Sequence, residues 1–553
     1  MYLAGGKGST FLEIISGKGF RSTWKYLIIT FFLLFVILPT IWILSYAVTN
    51  WGDIQMRVFD DPAMRDLITS AIVNSFAIAG IVTLIDILVG LPMAWLLVRK
   101  DFRGKKLLDT LIDMPLAVPT AALGFSCAIF WAVTKSSVMA PDFSLQLISW
   151  PFLLIVLLHI VFSYPYMVRS LAAILEQIDQ TYETAGRTLG ASRLTAARTI
   201  TLPLFRAGLV TGIILCFARS LSETGGTMIA LATMANAQGF QTGPTLIGTW
   251  KGQLPFDPGL QAPLAFVSIL LIILALLLLV ALKLIVMKVH LPEGKVWPKW
   301  EKILSRGIVP KFKDGFSVFF LALFVLIPSF FIFTYVAVLS PQPNDWTPFM
   351  NSLGYSFLIA GVVTAIDIAL GVPLALYIAR NPGSKLYQSL DVLVNVPLIV
   401  PTAALGFSLG VFWGNFGLGG MELVLLISAH VAFTYPLVVR NVVGAVEEVD
   451  PAFEETSRTL GARPVQAFRR VLYPMIKASI LAGAIMAFTR SLGETGATLA
   501  VSSTAQTAPV YIVNMIRSEQ FYVAAVACII LIIVSYIFML GLRFVTAKRK
   551  GVK

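Results

Sequence analysis

Pro115–Phe125 reads PLAVPTAALGF, and Pro397–Phe407 reads PLIVPTAALGF. Around this string the chain repeats itself. Ser75–Asp86 (SFAIAGIVTLID) returns as Ser356–Asp367 (SFLIAGVVTAID), and Arg187–Ala191 (RTLGA) as Arg458–Ala462. Arg219–Gly225 (RSLSETG) returns as Arg490–Gly496 (RSLGETG). A period of roughly 280 residues is far too long for a solenoid, whose units run to about 50. It marks a duplicated domain fused in one chain.

The chain has 553 residues, of which 57% are hydrophobic and 13% charged. Soluble domains carry about 25% charged residues. The apolar residues gather in runs of roughly 20 or more, enough to cross the hydrocarbon core as helices. No dyad alternation suggests a barrel, and open sheets do not sit in lipid. Twelve spans are expected, at 26–48, 71–98, 107–133, 150–174, 205–232 and 262–288, then 316–339, 353–380, 388–414, 421–446, 476–502 and 522–545. The fold class is therefore an all-α membrane protein of two parallel six-helix repeats. The expected parts are an N-terminal segment (1–25), a first half (26–288), a linker (289–315), a second half (316–545) and a tail (546–553).

The net charge of +13 follows the same plan. Lys7, Lys18, Arg21 and Lys25 precede the first span; Arg99, Lys100, Arg103, Lys105 and Lys106 follow the second. Lys295, Lys299, Lys302, Arg306, Lys311 and Lys313 lie in the linker, and Lys548, Arg549, Lys550 and Lys553 end the chain. The opposite loops carry few. This positive-inside pattern puts both termini in the cytoplasm of a multi-pass protein of the cell membrane. Nucleic-acid binding is excluded as an explanation, because no aromatic residues interleave with these charges on a soluble face. Cys127, Cys216 and Cys528 fall in apolar runs and form neither a disulfide framework nor a zinc pattern.

Between spans four and five, Gln180–Arg206 reads QTYETAGRTLGASRLTAARTITLPLFR; its counterpart Pro451–Lys477 reads PAFEETSRTLGARPVQAFRRVLYPMIK. Each has a helix-forming start, a glycine break at Gly190 or Gly461, a second basic helix, and Pro203 or Pro474 at the mouth of the next span. The pattern predicts a short helix–turn–helix lying on the cytoplasmic face, open to a partner's groove. It resembles the EAA loop of ABC-importer permeases of type I. The matching positions are Glu183, Ala185, Gly190, Ile200 and Pro203, then Glu454, Glu455, Gly461, Val471 and Pro474. Thr184 stands where the loop's glutamate belongs, and Gly186 and Ser457 replace an alanine. The resemblance implies two ABC ATPase subunits, expected as a homodimer, docked on these loops, and an external substrate-binding protein. It also implies a prokaryotic membrane. No Gly-x-x-x-x-Gly-Lys-Ser/Thr occurs, so ATP and Mg are expected on the partners, with no cofactor, metal or catalytic residue here.

Arg219 and Glu223 in span five, and Arg490 and Glu494 in span eleven, lie four apart on one helix face. Charges at such depth face the bundle interior or a cavity. They line or gate the pathway, or they form a structural ion pair. Asp86 and Asp367 are further pathway residues by the same reasoning, or polar contacts between helices. His159 and His430 read as structural. The Pro115–Pro119 and Pro397–Pro401 stretches are expected to kink spans three and nine.

The fused form resembles permeases for ferric iron, thiamine and phosphonate. Ser491–Thr498 instead resembles sulfate, molybdate and tungstate permeases, which points to a small oxyanion. A major-facilitator-type secondary transporter also has twelve spans in parallel halves. It requires a Gly/Asp/Arg-rich loop after span two, which Arg99–Lys106 lacks, and it needs no paired loops.

Overall fold

The computed structural model describes residues 18–134, 145–288, 298–305, 307–339, 341, 343–502 and 504–547. The basic residues Lys7, Lys295, Arg306, Lys548, Arg549, Lys550 and Lys553 lie outside the described residues, as does much of the longer loop after Trp131. Every named element among the described residues is a helix.

Among the described residues nine helices are long and apolar enough to cross a membrane, and up to twelve if each of three bent pairs is one crossing. Two of those pairs are spans three and nine. Lys105–Leu116 and Thr120–Trp131 meet at 103°, and Lys385–Ile399 and Thr402–Asn415 at 108°. The bends fall at Val118-Pro119 and Val400-Pro401. There proline removes a backbone donor and holds the preceding residue in extended geometry. An arginine from span four or its counterpart, span ten, fixes each bend. Arg169 reaches Asp109 and Asp113, both at 2.6 Å. Arg440 reaches Asp391 at 2.6 Å and Asn395 at 2.8 Å.

Prolines within spans meet a second device. Five π-helical segments end two residues before a proline: Phe32–Ile37 before Pro39, Ala197–Thr201 before Pro203, Leu321–Leu326 before Pro328, Asp367–Gly371 before Pro373, and Phe468–Leu472 before Pro474. The widened turn shifts the hydrogen-bond ladder where the missing N–H and the ring would break it.

The packing units are not the sequence repeats. One apolar core joins spans two to five of the first repeat to spans seven and twelve, through residues such as Phe125, Tyr164, Phe331 and Leu531. The other joins spans eight to eleven to spans one and six, through Phe32, Ile43, Leu271 and Tyr435. Each repeat thus lends its first and last spans to the other. The exchange is held by paired hydrogen bonds. The Ile43 amide donates to Ser408 Oγ at 3.2 Å, and the Ile332 amide to Ser126 Oγ at 3.0 Å.

Two expectations need correction. Spans five and eleven are not continuous to 232 and 502. Their helices stop at Leu221 and Leu492, and new helices, Gly225–Thr233 and Gly496–Val501, start after a break. The linker, expected only to join the halves, also carries a helix. Pro298–Leu304 is helical and docks on the helix Arg193–Ala196, between spans four and five. Glu301, 4% exposed, accepts from Arg198 Nε at 2.7 Å and Thr195 Oγ1 at 2.6 Å.

Short helices Gly243–Gln253 and Ala508–Arg517 precede spans six and twelve. The repeated serines explain their placement. Ser75 Oγ accepts from the Gly243 amide at 2.7 Å, and Ser356 Oγ from the Ala508 amide at 2.8 Å. Each short helix then packs against the post-break helix of the opposite repeat.

Candidate functional site

The two breaks meet where the repeats cross. Thr224 lies against Gly496 and Thr495 against Gly225. A Cβ on Gly225 would sit 2.4 Å from Thr495 Oγ1, so only glycine permits this approach. Each break is organised by its glutamate. Glu223 Oε2 pairs with Arg219 Nη1 at 2.7 Å, and Glu223 Oε1 accepts from the Gly226 amide at 3.0 Å. Glu494 Oε2 pairs with Arg490 Nη1 at 2.7 Å, and its Oε1 accepts from the Ala497 amide at 3.0 Å and Thr402 Oγ1 at 2.9 Å. The carboxylate therefore caps the helix after the break while holding the arginine before it. Both glutamates are 3% exposed. Each guanidinium also lies over a ring of span four or ten: Arg219 on Phe162 at 5.2 Å, Arg490 on Phe433 at 5.3 Å.

The histidines tie the break together. His159 Nδ1 meets Ser220 Oγ at 2.8 Å and Nε2 meets Thr227 Oγ1 at 2.9 Å. His430 meets Ser491 at 2.8 Å and Thr498 at 3.0 Å in the same way. One ring thus bridges the last turn before the gap and the first turn after it. Asp86 and Asp367 are fully buried and join span two to four and eight to ten. Asp86 accepts from Ser163, and Asp367 from Thr434 Oγ1 at 2.6 Å. A cavity at the repeat interface is lined by Arg219 and Arg490 together; neither aspartate lines it. Among the described residues no group of three or more His, Cys, Asp or Glu side chains is placed to hold a metal.

The repeated segments Gln180–Arg206 and Pro451–Lys477 form helices Gln180–Thr188 and Ala452–Thr459, each followed by a left-handed glycine: Gly190 at φ +91° and Gly461 at +89°. Glu183 and Glu454 occupy equivalent places, facing inward. Glu183 pairs with Arg99 at 3.2 Å and accepts from Thr201 Oγ1 at 2.8 Å; Glu454 pairs with Arg380 at 2.6 Å. Glu455 and Ala185 are exposed. The Gly186 departure has a steric reason. A Cβ there would lie 2.6 Å from Ile200 Cδ1, whereas the second repeat carries Ser457 with the smaller Val471. Pro203 and Pro474 follow their π segments. In the second repeat Pro474 sits inside one long helix, Pro464–Leu492. The second helix there runs on into the span instead of lying flat, because the π turn accommodates the proline. In the first repeat the corresponding helices bend by 74°. Within these two segments the most exposed apolar residues are Leu189 at 89% and Leu460 at 84%, both just before the glycine turn.

Sequence reading did not single out Arg99, Arg380, Glu301 or the Thr224 and Thr495 pair. Arg99 and Arg380 end spans two and eight, and their recurrence was the available signal. Glu301 has no counterpart in the other repeat and gave none.

A family model described as binding-protein-dependent transport system inner membrane component matches residues 86–291 and 371–550. The chain is similar to the sulfate transport system permease protein CysT of Salmonella typhimurium, 31% identical over 204 residues, which cover 37% of this chain and 73% of that protein. It is similar to the molybdenum transport system permease protein ModB of Escherichia coli, 35% identical over 174 residues (31% and 73%). It is also similar to the molybdate/tungstate transport system permease protein WtpB of Pyrococcus abyssi, 29% identical over 209 residues (38% and 77%). A match that covers a third of this chain but three-quarters of the relative is the proportion expected when a one-repeat protein meets a two-repeat chain.

Proposed function

The chain belongs to the family of binding-protein-dependent transport system inner membrane components, as an ABC-importer permease in fused two-half form, and on that premise we propose how it is driven and what it carries. Two ATPase subunits, a homodimer, dock on Gln180–Leu204 and Ala452–Leu472 from the cytoplasm, where both termini lie. An external binding protein delivers a small oxyanion of the sulfate, molybdate or tungstate kind. Hydrolysis takes place on the partners.

The observation that carries the coupling is the equivalent presentation of Leu189 and Leu460, two bare leucines beside left-handed glycines at matched places in both repeats. A leucine left in water gives up about 1.5–3 kcal/mol that a partner's groove would recover. Motion then has a stiff route inward. In the first repeat Glu183 links the coupling helix to Arg99 at the end of span two and to Thr201 before span five. In the second, Glu454 links it to Arg380 at the end of span eight. ATP closes the ATPase pair, the segments follow, and the two cores rock about the crossing of the breaks.

For the substrate, the named ligands of the similar permeases support an oxyanion. Ferric iron and thiamine are cations, and the cavity that Arg219 and Arg490 share is lined by no carboxylate. Purification of the tagged chain in mild detergent tests the assignment. Two copies of a Walker-motif ATPase per chain, with sulfate or molybdate uptake driven by ATP in proteoliposomes, is the expected result. A lone chain that transports on an ion gradient without ATP would refute it.

A further inference from the structure

Arg219 and Arg490 come from different repeats yet line the same cavity, together with Thr489, Ser535, Tyr166 and Phe162. Its volume is about 40 Å³. A water needs roughly 10–15 Å³ on this measure, so the space admits a group of a few heavy atoms. Both arginines are largely withdrawn from solvent, with 11% and 19% of their side chains exposed. The two guanidiniums supply the donors around this space; Thr120, Tyr166, Thr489 and Ser535 add hydroxyl side chains, of which Thr489 and Ser535 donate to Ile485 O and Leu531 O of their own helices.

The carboxylates neutralise this charge at rest, but each has a second set of partners. Glu223 keeps the Gly226 amide, and Glu494 keeps the Ala497 amide and the Thr402 hydroxyl. Each glutamate thus stays hydrogen-bonded when its arginine turns away. A guanidinium is a planar fork of five donors that matches oxyanions in pairs. The ion pair engages Nη1 of each fork. Two forks freed together carry the charge that a divalent tetrahedral anion neutralises.

We propose that this cavity is a transit site for a tetrahedral divalent oxyanion, held jointly by Arg219 and Arg490, with Glu223 and Glu494 as the resident carboxylates that the anion displaces. The inference rests on the oxyanion reading above. The glutamates act as built-in competitors. They lower affinity at the site, so that an anion released by the binding protein does not lodge there.

Binding of radiolabelled sulfate to the permease–ATPase complex in lipid nanodiscs, without binding protein, tests this. Sulfate should bind saturably, with molybdate competing and chloride not. Arg219→Gln and Arg490→Gln should each weaken binding at least tenfold. Glu223→Gln with Glu494→Gln should tighten it several-fold while slowing uptake in proteoliposomes. Misfolding cannot produce tighter binding, so the last variant guards against a trivial loss. A wild-type complex that imports sulfate or molybdate but binds equally well in all variants overturns the site and leaves the oxyanion reading standing. So does tighter binding that fails to appear in the glutamate pair. A complex that imports neither anion overturns both.

Discussion

Thr224 and Gly496 touch across the boundary between the repeats, at a separation that would leave a Cβ on Gly496 only 2.5 Å from Thr224 Oγ1. The reciprocal contact, Gly225 with Thr495, makes the crossing symmetric. Spans five and eleven are interrupted at this point, and no larger residue fits there without separating the two cores. Gly496→Ala is expected to destabilise the permease by about 1–3 kcal/mol through overpacking, and Gly225→Ala likewise. Thermal unfolding in detergent would read the loss. Unchanged melting would mean that the two breaks part readily.

His159 holds hydroxyls on both sides of the gap, so its removal strands buried donors. His159→Ala should cost about 1–3 kcal/mol for the groups left unpaired, with further loss from the space vacated. His430→Ala should cost a similar amount. The double variant should show more than the sum, because both histidines brace breaks that touch each other. Strict additivity in unfolding measurements would argue that the breaks are independent.

Leu189→Ser and Leu460→Ser are expected to weaken ATPase binding, each by roughly tenfold or more, from about 1.5–3 kcal/mol of apolar burial lost per leucine. Titration of the purified ATPase against the reconstituted permease measures this. Equal affinity for wild type and the double variant would remove these residues from the interface.

Glu301 is the linker's anchor. Hydrogen bonds from Arg198 and Thr195 hold its carboxyl below the usual range. A depressed folded value means that the contact is fully stabilising above the ordinary glutamate value near 4.3 and is lost as pH falls through the lower, folded one. Protection factors at Arg193–Ala196, taken against the intrinsic exchange rate at each pH, should therefore stay high at neutral pH and fall only in distinctly acid solution. Glu301→Gln should make exchange fast at neutral pH and abolish the acid dependence. A charged hydrogen bond of this kind contributes about 1.5–3 kcal/mol.

Much of this was legible in the residues. The duplication, the number of crossings and the kinks at Pro119 and Pro401 follow from repeats, apolar length and proline chemistry. The breaks in spans five and eleven did not follow. Arg219 and Glu223 at a spacing of four look like neighbours on a continuous helix, and only the Gly226 amide, reached by the other carboxylate oxygen, shows the glutamate to be a cap. Hydropathy says that spans one and six are buried somewhere, and nothing in their periodicity says in which core. The Glu301 contact was equally hidden, since an acidic residue among linker lysines looks solvated until Arg198 is brought to it by the fold.

The exchange of outer spans changes what the linker is for. If the chain were severed between 288 and 316, neither fragment would own a complete core. Folding would wait on collision of two partners in the bilayer, at a rate set by their abundance. Joined, the same step becomes unimolecular, at the high effective concentration a short tether imposes. Expression of either half alone should yield a protease-sensitive product, and co-expression should rescue it only as an interlocked pair.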